Sequence, residues 1–198
     1  MRPLKIATLY GENNSSFLIR CLTPLLWLKE QRAIEVLPQE KAWEADLVYL
    51  HGMHGWPGAP GLVRSLKRNG IRVVADLDAD VLSQTAQTAV TPVRKFFASV
   101  DALTTPTEPL AASLARLNTK VLVNPNGLNL KLWQTAGRSG MRNQARTVGF
   151  AGTASHAANL DLLRPALAKL SHEFKVQEIR FVCFGFRPVW LSNTVADA

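Results

Sequence analysis

The feature that most constrains the fold is the alternation of short apolar segments with longer helix-like ones. Repeated strand–helix–strand units predict parallel strands covered by helices on both faces. Predicted strands cover residues 5–10, 34–37, 46–50, 71–75, 102–106 (with a turn) and 121–123, and predicted helices cover 16–31, 62–68, 92–99 and 108–117. Pro24 lies inside the first helix and is expected to kink it. The pattern predicts an α/β fold with one complete Rossmann-like domain.

A second, shorter unit follows a segment without apolar periodicity. The predicted boundaries are a first domain at residues 1–133, a polar, basic linker at 134–146 and a second domain at 147–198. The second domain begins with a strand at 147–151, a helix at 157–170 that Pro165 is expected to kink, and a strand at 179–184. One such unit cannot bury both faces of its sheet. We therefore expect the second domain to be incomplete, and the chain alone to associate or to order loosely after about residue 146.

Composition places the chain among globular proteins. Hydrophobic residues make up 47% and charged residues 19% of the sequence, enough apolar material for a core. No apolar run approaches the ~18 residues of a membrane span, and the apolar start is too short for a signal peptide. Cys21 and Cys183 lie far apart in apolar surroundings and are expected to be reduced thiols. These features predict a cytoplasmic protein.

The charge is basic and unevenly distributed. The chain has 23 basic and 15 acidic residues, and no acidic residue lies between Glu108 and Asp161. A positive field of this kind suits a nucleotide diphosphate, a membrane surface or nucleic acid. Nucleic acid is disfavoured because no recognition-helix or aromatic-rich motif accompanies the charge. A solvated basic face that keeps the protein soluble is the plain alternative.

A first motif joins two neighbouring segments, Asp-Ala-Leu-Thr-Thr-Pro-Thr-Glu-Pro at 101–109 and Val-Leu-Val-Asn-Pro-Asn-Gly-Leu-Asn at 121–129. It resembles the end of the N-terminal domain in family-4-like glycosyltransferases of the GT-B architecture. The resemblance implies that Asn126 and Gly127 lie at the cleft between two domains. From the residues alone, Asn-Gly predicts a tight turn, and Gly127 permits a ligand to approach the backbone closely.

A second motif, Val-Gly-Phe-Ala-Gly-Thr-Ala-Ser-His at 148–156, resembles the start of the C-terminal domain in the same family. Gly152 follows a predicted strand and precedes a helix, so backbone N–H groups there can face a phosphate. Thr153 and Ser155 either donate hydroxyls to the same anion or cap the helix. His156 is either a ligand contact or a structural residue. Arg187 marks the start of the region where the family holds the phosphates, although no acidic pair follows it.

A third motif, Val-Val-Ala-Asp-Leu-Asp-Ala-Asp at 73–80, looks like the aspartate-rich loop of some bacterial and phage members. Asp76, Asp78 and Asp80 alternate, so in an extended segment their carboxylates would share one face. The resemblance places Asp78 and Asp80 at the cleft and implies no metal. A D-x-D metal site, as in the other large glycosyltransferase fold, and solvated loop carboxylates are the alternatives.

Three further residues are candidates for the cleft. The segment Ser-Phe-Leu-Ile-Arg at 16–20 resembles the family's acceptor-side helix more weakly, and this resemblance implies that Arg20 lies at the cleft. His51 and His54 flank the loop after the third strand, where they could act as a base or contact the acceptor.

The resemblance implies transfer of a sugar from a nucleotide-sugar donor to a carbohydrate, lipid-linked or protein acceptor. It implies no cofactor and no nucleic-acid partner, and it leaves peripheral contact with the inner membrane face open. The alternative is a non-catalytic remnant or binding module of the same GT-B-like fold. A dinucleotide-binding oxidoreductase is disfavoured, because no G-x-G-x-x-G follows the first strand.

Overall fold

The computed structural model describes residues 2–11, 15–81, 90–127, 130, 146–173 and 179–193. The chain divides into two compact units, Met1–Ala136 and Gly137–Ala198. The predicted linker at 134–146 lies outside the described residues, apart from Arg146, where the first strand of the second unit begins.

The first unit is an α/β fold with six parallel strands in the order β2-β1-β3-β4-β5-β6. The strands are β1 Leu4–Tyr10, β2 Ile34–Leu37, β3 Leu47–His51, β4 Arg72–Asp76, β5 Ala102–Thr105 and β6 Val121–Val123. All six lie where apolar segments predicted them. The fold is Rossmann-like in general character, with helices flanking the sheet.

The helical run that precedes β2 has an irregular middle. It comprises α1 Ser15–Phe17, a π-helical turn Leu18–Leu22 and α2 Thr23–Glu30. The wide turn closes with a hydrogen bond from the Thr23 N–H to the Leu18 carbonyl, five residues back. Pro24 has no N–H to donate to the Arg20 carbonyl, as a regular α-helix would require. The irregularity expected at Pro24 therefore falls one turn earlier.

The remaining helices of the first unit are α3 Ala59–Arg68, α4 Val90–Ser99 and α5 Glu108–Leu114, with a 3₁₀ helix at Gln39–Glu44. α3 begins three residues earlier than predicted, because Pro60 is compatible with a first helical turn. It ends as predicted at Asn69-Gly70, where Gly70 has a φ of 76°. α5 ends three residues before its predicted end at 117.

The core lies between the central strands and α3 and α4. Parallel strands covered on both faces carry nearly continuous apolar residues, and their inner positions here are fully buried. The principal core side chains are Val48, Leu50, Val63, Leu66, Val73, Phe96, Phe97 and Leu103. This packing holds the carboxyl ends of β1, β3 and β4 in fixed positions.

The backbone approaches itself closely where β1 and β3 end. The Gly11 N–H donates to the His51 carbonyl over 3.0 Å. A Cβ atom added at Gly11 would lie 2.7 Å from the Gly52 carbonyl oxygen, closer than packed atoms tolerate. Only glycine fits at Gly11 without moving one of the two strand ends.

We expect Gly11→Ala to lower the free energy of unfolding by about 1–3 kcal/mol, the usual cost of overpacking. Urea denaturation provides the measurement. Gly55→Ala is the matched control, because no atom lies within 4 Å of a Cβ placed at Gly55. Equal midpoints for the two variants would show that the strand ends move apart freely.

The second unit contains β7 Arg146–Gly152, a 3₁₀ turn Ala154–His156, α6 Ala157–Glu173, β8 Ile179–Gly185 and a 3₁₀ helix Val189–Asn193. β7 and β8 pair in parallel, with Gly152 opposite Gly185. Pro165 lies inside α6. Leu162 and Phe184 are 80% and 65% exposed. The predicted association or loose ordering of this unit stays a prediction.

None of the helices in the described part of the chain combines the length and the apolar character that a bilayer span requires.

Candidate functional site

The candidate site lies next to the point where the strand order of the sheet reverses. β2 is added on one side of β1 and β3 on the other, so the switch point falls between β1 and β3. Open α/β sheets bind ligands beyond the carboxyl ends of their strands at such a point. His51 ends β3 and is paired in register with Asp76, which ends β4. The sheet thus brings both side chains to its ligand-binding edge.

A buried ion pair forms the base of the site. Arg20 donates from Nη2 to Asp76 Oδ1 over 2.6 Å and from Nε to Asp76 Oδ2 over 2.7 Å. The two side chains are 2% and 0% exposed. Asp76 Oδ1 also accepts from the Thr104 hydroxyl at 2.6 Å and from the Tyr49 hydroxyl at 3.1 Å. The contact between Arg20 and Asp76, with two charge-assisted hydrogen bonds, is strong and fixes the orientation of both side chains.

The surroundings keep this pair ionised. Burial acts to raise the pKa of Asp76, but hydrogen bonds from His51, Arg20 and Thr104 outweigh it and hold the pKa below its usual range. Burial acts to lower the pKa of Arg20, and Asp76 more than compensates, so that pKa is raised. Burial, aided by the charge of Asp76, raises the pKa of Tyr49, so its hydroxyl stays protonated as a donor.

His51 joins the network through one ring nitrogen. Its Nδ1 lies 3.2 Å from Asp76 Oδ2. Because an ionised carboxylate only accepts hydrogen bonds, we assign the proton of this contact to Nδ1. Among the described residues, no group hydrogen-bonds the other nitrogen, Nε2. Nε2 is therefore the atom that His51 can use to exchange a proton with a ligand.

A cleft of about 270 Å³ adjoins this network. It is lined by Ser16, His51, Gly52, His54, Gly55, Asp76, Leu77, Asp78 and Val81. Ser16 donates a hydrogen bond to Asp78 across the cleft wall. Hydroxyl, imidazole and carboxylate groups thus line a small concave surface, a lining suited to a ligand with several hydroxyls. His51, His54 and Asp78 are candidates that this cleft brings together.

The three aspartates do not lie in one extended segment, so the condition for a shared face is not met. β4 ends at Asp76, and the strand alternation ends with it. Asp76 is buried against Arg20, Asp78 is exposed at the cleft, and Asp80 is exposed outside the cleft lining.

One set of three potential metal ligands lies close together within the described ranges. Ligand atoms of Cys21, His51 and Asp76 all lie within 4.8 Å of one another. Asp76, however, already accepts two hydrogen bonds from the cationic Arg20. Burial also raises the pKa of Cys21, which keeps the thiol protonated. A cation would have to displace the guanidinium, so these residues do not fit a metal.

A further candidate, Asn126, contacts Arg20 on the side away from Asp76. Arg20 Nη1 donates to the Asn126 Oδ1 at 2.7 Å and to the Asn124 carbonyl at 3.0 Å. The predicted tight turn at Asn126–Gly127 would extend to residue 128, outside the described residues, and stays a prediction. Residues 124–127 are irregular, and the φ of Gly127 lies outside the left-handed region. Arg20 thus holds this segment through two hydrogen bonds.

In the second unit, Gly152 is the last residue of β7, one position beyond the predicted strand end, and its surroundings are occupied. A Cβ placed there would lie 2.7 Å from the Phe150 ring and 3.2 Å from the His156 ring. The chain's own side chains therefore pack in front of Gly152. His156 is exposed, and its Nδ1 lies 3.3 Å from Asn159 Nδ2.

The other candidates of this unit are more loosely defined. Thr153 precedes the 3₁₀ turn and makes no side-chain hydrogen bond that caps this turn. Whether it caps the helix that follows stays a prediction. Ser155 lies in the turn, and its side chain is outside the described part. Arg187 is exposed after β8.

Sequence reasoning missed Tyr49 and Thr104 as members of the network. A signal was present for both. Tyr49 and His51 are two positions apart in β3 and therefore lie on one face of the strand. Thr104 is the register partner of Asp76 on β5. A search for polar residues at neighbouring strand ends on one face would have found them.

His54 provides a pH-dependence prediction. Burial, and secondarily the neighbouring His51, lower the pKa of His54, so folding favours its neutral form. Its contribution to stability is present above the ordinary histidine pKa of about 6.5 and is lost as the pH falls towards the lower folded value. We expect the free energy of unfolding, measured in urea between pH 8 and 5, to fall on the acid side. His54→Gln should flatten this slope and His172→Gln, at an exposed helix position, should not; an unchanged slope in His54→Gln would refute the assignment.

Comparison of the sequence with models of known protein families found no match. Comparison with curated proteins found none either.

Proposed function

We propose that this chain serves the transfer of a sugar from a nucleotide-sugar donor to an acceptor hydroxyl, with the acceptor bound in the cleft beside His51. The observation that carries the proposal is the His51–Asp76 pair at the carboxyl ends of β3 and β4, next to the switch point of the sheet. The resemblance of residues 101–129 and 148–156 to family-4-like glycosyltransferases supplies the reaction class.

His51 has the arrangement of a general base. The acceptor hydroxyl donates to Nε2 and loses its proton there as its oxygen bonds to the anomeric carbon of the donor sugar. The bond from that carbon to the diphosphate oxygen breaks, and its electron pair leaves with the diphosphate. Asp76 fixes the ring through Nδ1 and stabilises the imidazolium that results. Ser16, His54 and Asp78 offer hydrogen bonds to the other hydroxyls of a sugar acceptor.

An apolar groove on the same unit bears on the choice of acceptor. It measures about 700 Å³, and its lining includes Ile19, Leu26, Trp27 and Arg20. Trp27 is 59% exposed. Lipid-linked sugars therefore belong beside free sugars and glycoproteins in any panel of acceptors.

The test is a transfer assay with UDP-, GDP- and ADP-sugars against that panel, read by release of the nucleoside diphosphate and by the mass of the product. Removal of a general base typically costs about 10²–10⁴-fold in rate, and we expect that loss for His51→Gln. His172→Gln, remote in sequence and exposed, is the control and should retain the wild-type rate. Equal rates for the wild type and His51→Gln would contradict the assignment of His51 as the general base.

One observation favours the second candidate, a non-catalytic binding module of the same fold. The rings of Phe150 and His156 occupy the space in front of Gly152, where the resemblance implies a phosphate. The binding-module hypothesis expects saturable binding of sugars to the first unit without product for any donor. Product formation with any nucleotide sugar would exclude it.

We expect transfer to be independent of divalent cations. Asp76 is engaged by Arg20, and Asp78 lines the cleft whereas Asp80 lies outside its lining. The rate measured after treatment with EDTA should equal the untreated rate. Loss of activity with EDTA and recovery with Mn²⁺ would revive the D-x-D alternative.

A further inference from the structure

Arg20 occupies a position that the ion pair alone does not explain. Its guanidinium uses Nε and Nη2 on Asp76, and Nη1 on both Asn124 and Asn126. The guanidinium thus connects two parts of the sheet edge, the end of β4 and the segment after β6. The contacts with Asp76 are buried, so they are made out of water, where charge acts strongly, whereas those with Asn124 and Asn126 are part-buried.

The π-helical turn is what brings Arg20 to this position. Arg20 is the middle residue of Leu18–Leu22. Leu18 and Ile19 are exposed, whereas Arg20 and Cys21 are buried. The extra residue in this turn changes the direction in which the following residues point relative to a regular α-helix. Such turns occur often at functional sites.

Arg20 and His51 also share a hydrogen-bond acceptor. The carboxylate oxygen Asp76 Oδ2 accepts from Arg20 Nε at 2.7 Å and from His51 Nδ1 at 3.2 Å. The charge that Asp76 presents to the imidazole is therefore shared with the guanidinium. A carboxylate without this partner would act on His51 with its full negative charge and stabilise the imidazolium.

We propose that Arg20 is a positioning residue for His51: by sharing Asp76, it keeps the imidazole available as a proton acceptor and ties this state to the segment around Asn126. The role in transfer rests on the proposed function, whereas the effect on His51 does not. The acceptor-side site then includes Asn126, whose side-chain oxygen contacts Arg20 at 2.7 Å.

Several ionisable groups surround His51. Asp76 faces it from β4, Cys21 from the π-helical turn, and His54 from the loop after β3. Tyr10 is its register partner on β1, Tyr49 contacts Asp76, and Asp78 lines the same cleft. None of these side chains is itself replaced in the Arg20 and Asn126 variants. Asp76 and Cys21 are the two whose pKa values Arg20 influences, so the effect of Arg20 on His51 includes its effect on Asp76.

The test is an NMR titration of the four histidine rings in the full chain, without substrate. In Arg20→Gln the guanidinium charge is lost, and we expect the His51 titration midpoint to move to higher pH by about 1 unit. Arg20→Lys keeps the charge, so its midpoint should stay close to that of the wild type. A His51 midpoint that is the same in folded Arg20→Gln and in the wild type would overturn the proposal.

A second variant avoids leaving Asp76 without its counter-charge. Asn126 is exposed, and Asn126→Asp places a carboxylate against Arg20 Nη1 while the Arg20–Asp76 pair stays intact. We expect a smaller shift of the His51 midpoint in the same direction, and none in the neutral control Asn126→Ala. No shift in Asn126→Asp would equally overturn the proposal, whether or not Arg20→Gln folds.

Where transfer is measurable, the acid limb of the pH–rate profile should move with the His51 midpoint in both charge variants. A merely structural role for Arg20 would lower the rate or the stability without moving that limb. If the midpoint shifts and no donor gives product, Arg20 controls His51 and the proposed function fails. If product forms and the midpoint is fixed, transfer stands and the role of Arg20 fails.

Discussion

Replacing Asp76 with asparagine is expected to lower the free energy of unfolding by about 3–5 kcal/mol, the usual cost of breaking a buried ion pair on one side. The substitution keeps the size of the side chain but removes its charge. Arg20, 2% exposed, is then left as a buried cation with a neutral partner. Urea denaturation with two independent probes of folding is the measurement.

A double-mutant cycle separates the pair from the desolvation of its members. Arg20→Met/Asp76→Asn removes both charges, and we expect it to be more stable than Asp76→Asn alone. Additive losses in the two single variants and the double variant would mean that the two side chains do not interact. Lys67→Met/Asp101→Asn is a partly exposed comparison pair, for which the coupling should be below about 1 kcal/mol.

Phe97→Ala is the second change with a large expected effect. Phe97 on α4 is fully buried, and its ring lies 5.5 Å from Phe96 and 6.0 Å from His54, centre to centre. The cavity left by a phenylalanine of the core typically costs about 3–5 kcal/mol. The loss should appear as a lower urea midpoint. It should also increase the mobility of His54 at the cleft, because the ring is part of its support.

Phe184→Ala is the matched control for this substitution. Phe184 is 65% exposed on β8, so little apolar surface is returned to water when it is truncated. We expect a change within about 0.5 kcal/mol, as for other surface substitutions. A loss at Phe184 as large as that at Phe97 would show that a partner surface covers Phe184 in solution.

The sheet could be predicted from the sequence because its signal is local. Each strand of the first unit is a short apolar segment between polar ones, and residues 34–37 and 121–123 were predicted with the bounds that β2 and β6 have. Helix starts were less well predicted. The start of α3 depends on where Pro60 is tolerated, and that depends on the loop before it as well as on the helix.

The site could be predicted only in part. Arg20, Asp78 and Asn126 were named from resemblance and His51 from its place after a strand, but the contacts that join them were not predicted. Arg20 and Asn126 are 106 positions apart, and no pattern within one segment encodes such a contact. The π-helical turn was missed for a related reason. Its apolar spacing is close to that of an α-helix, so the extra residue leaves no trace in the periodicity.

We propose that the acceptor binds at the carboxyl ends of β3 and β4, beside His51. The chain has only four histidines, His51, His54, His156 and His172, so their ring signals report on both units. The most direct measurement is an NMR titration of these signals with a panel of methyl glycosides in the presence of UDP or GDP. We expect saturable shifts of the His51 and His54 ring signals with at least one glycoside and no shift of the His172 signals. Saturable shifts confined to His156 or His172, with His51 and His54 unmoved, would contradict this proposal.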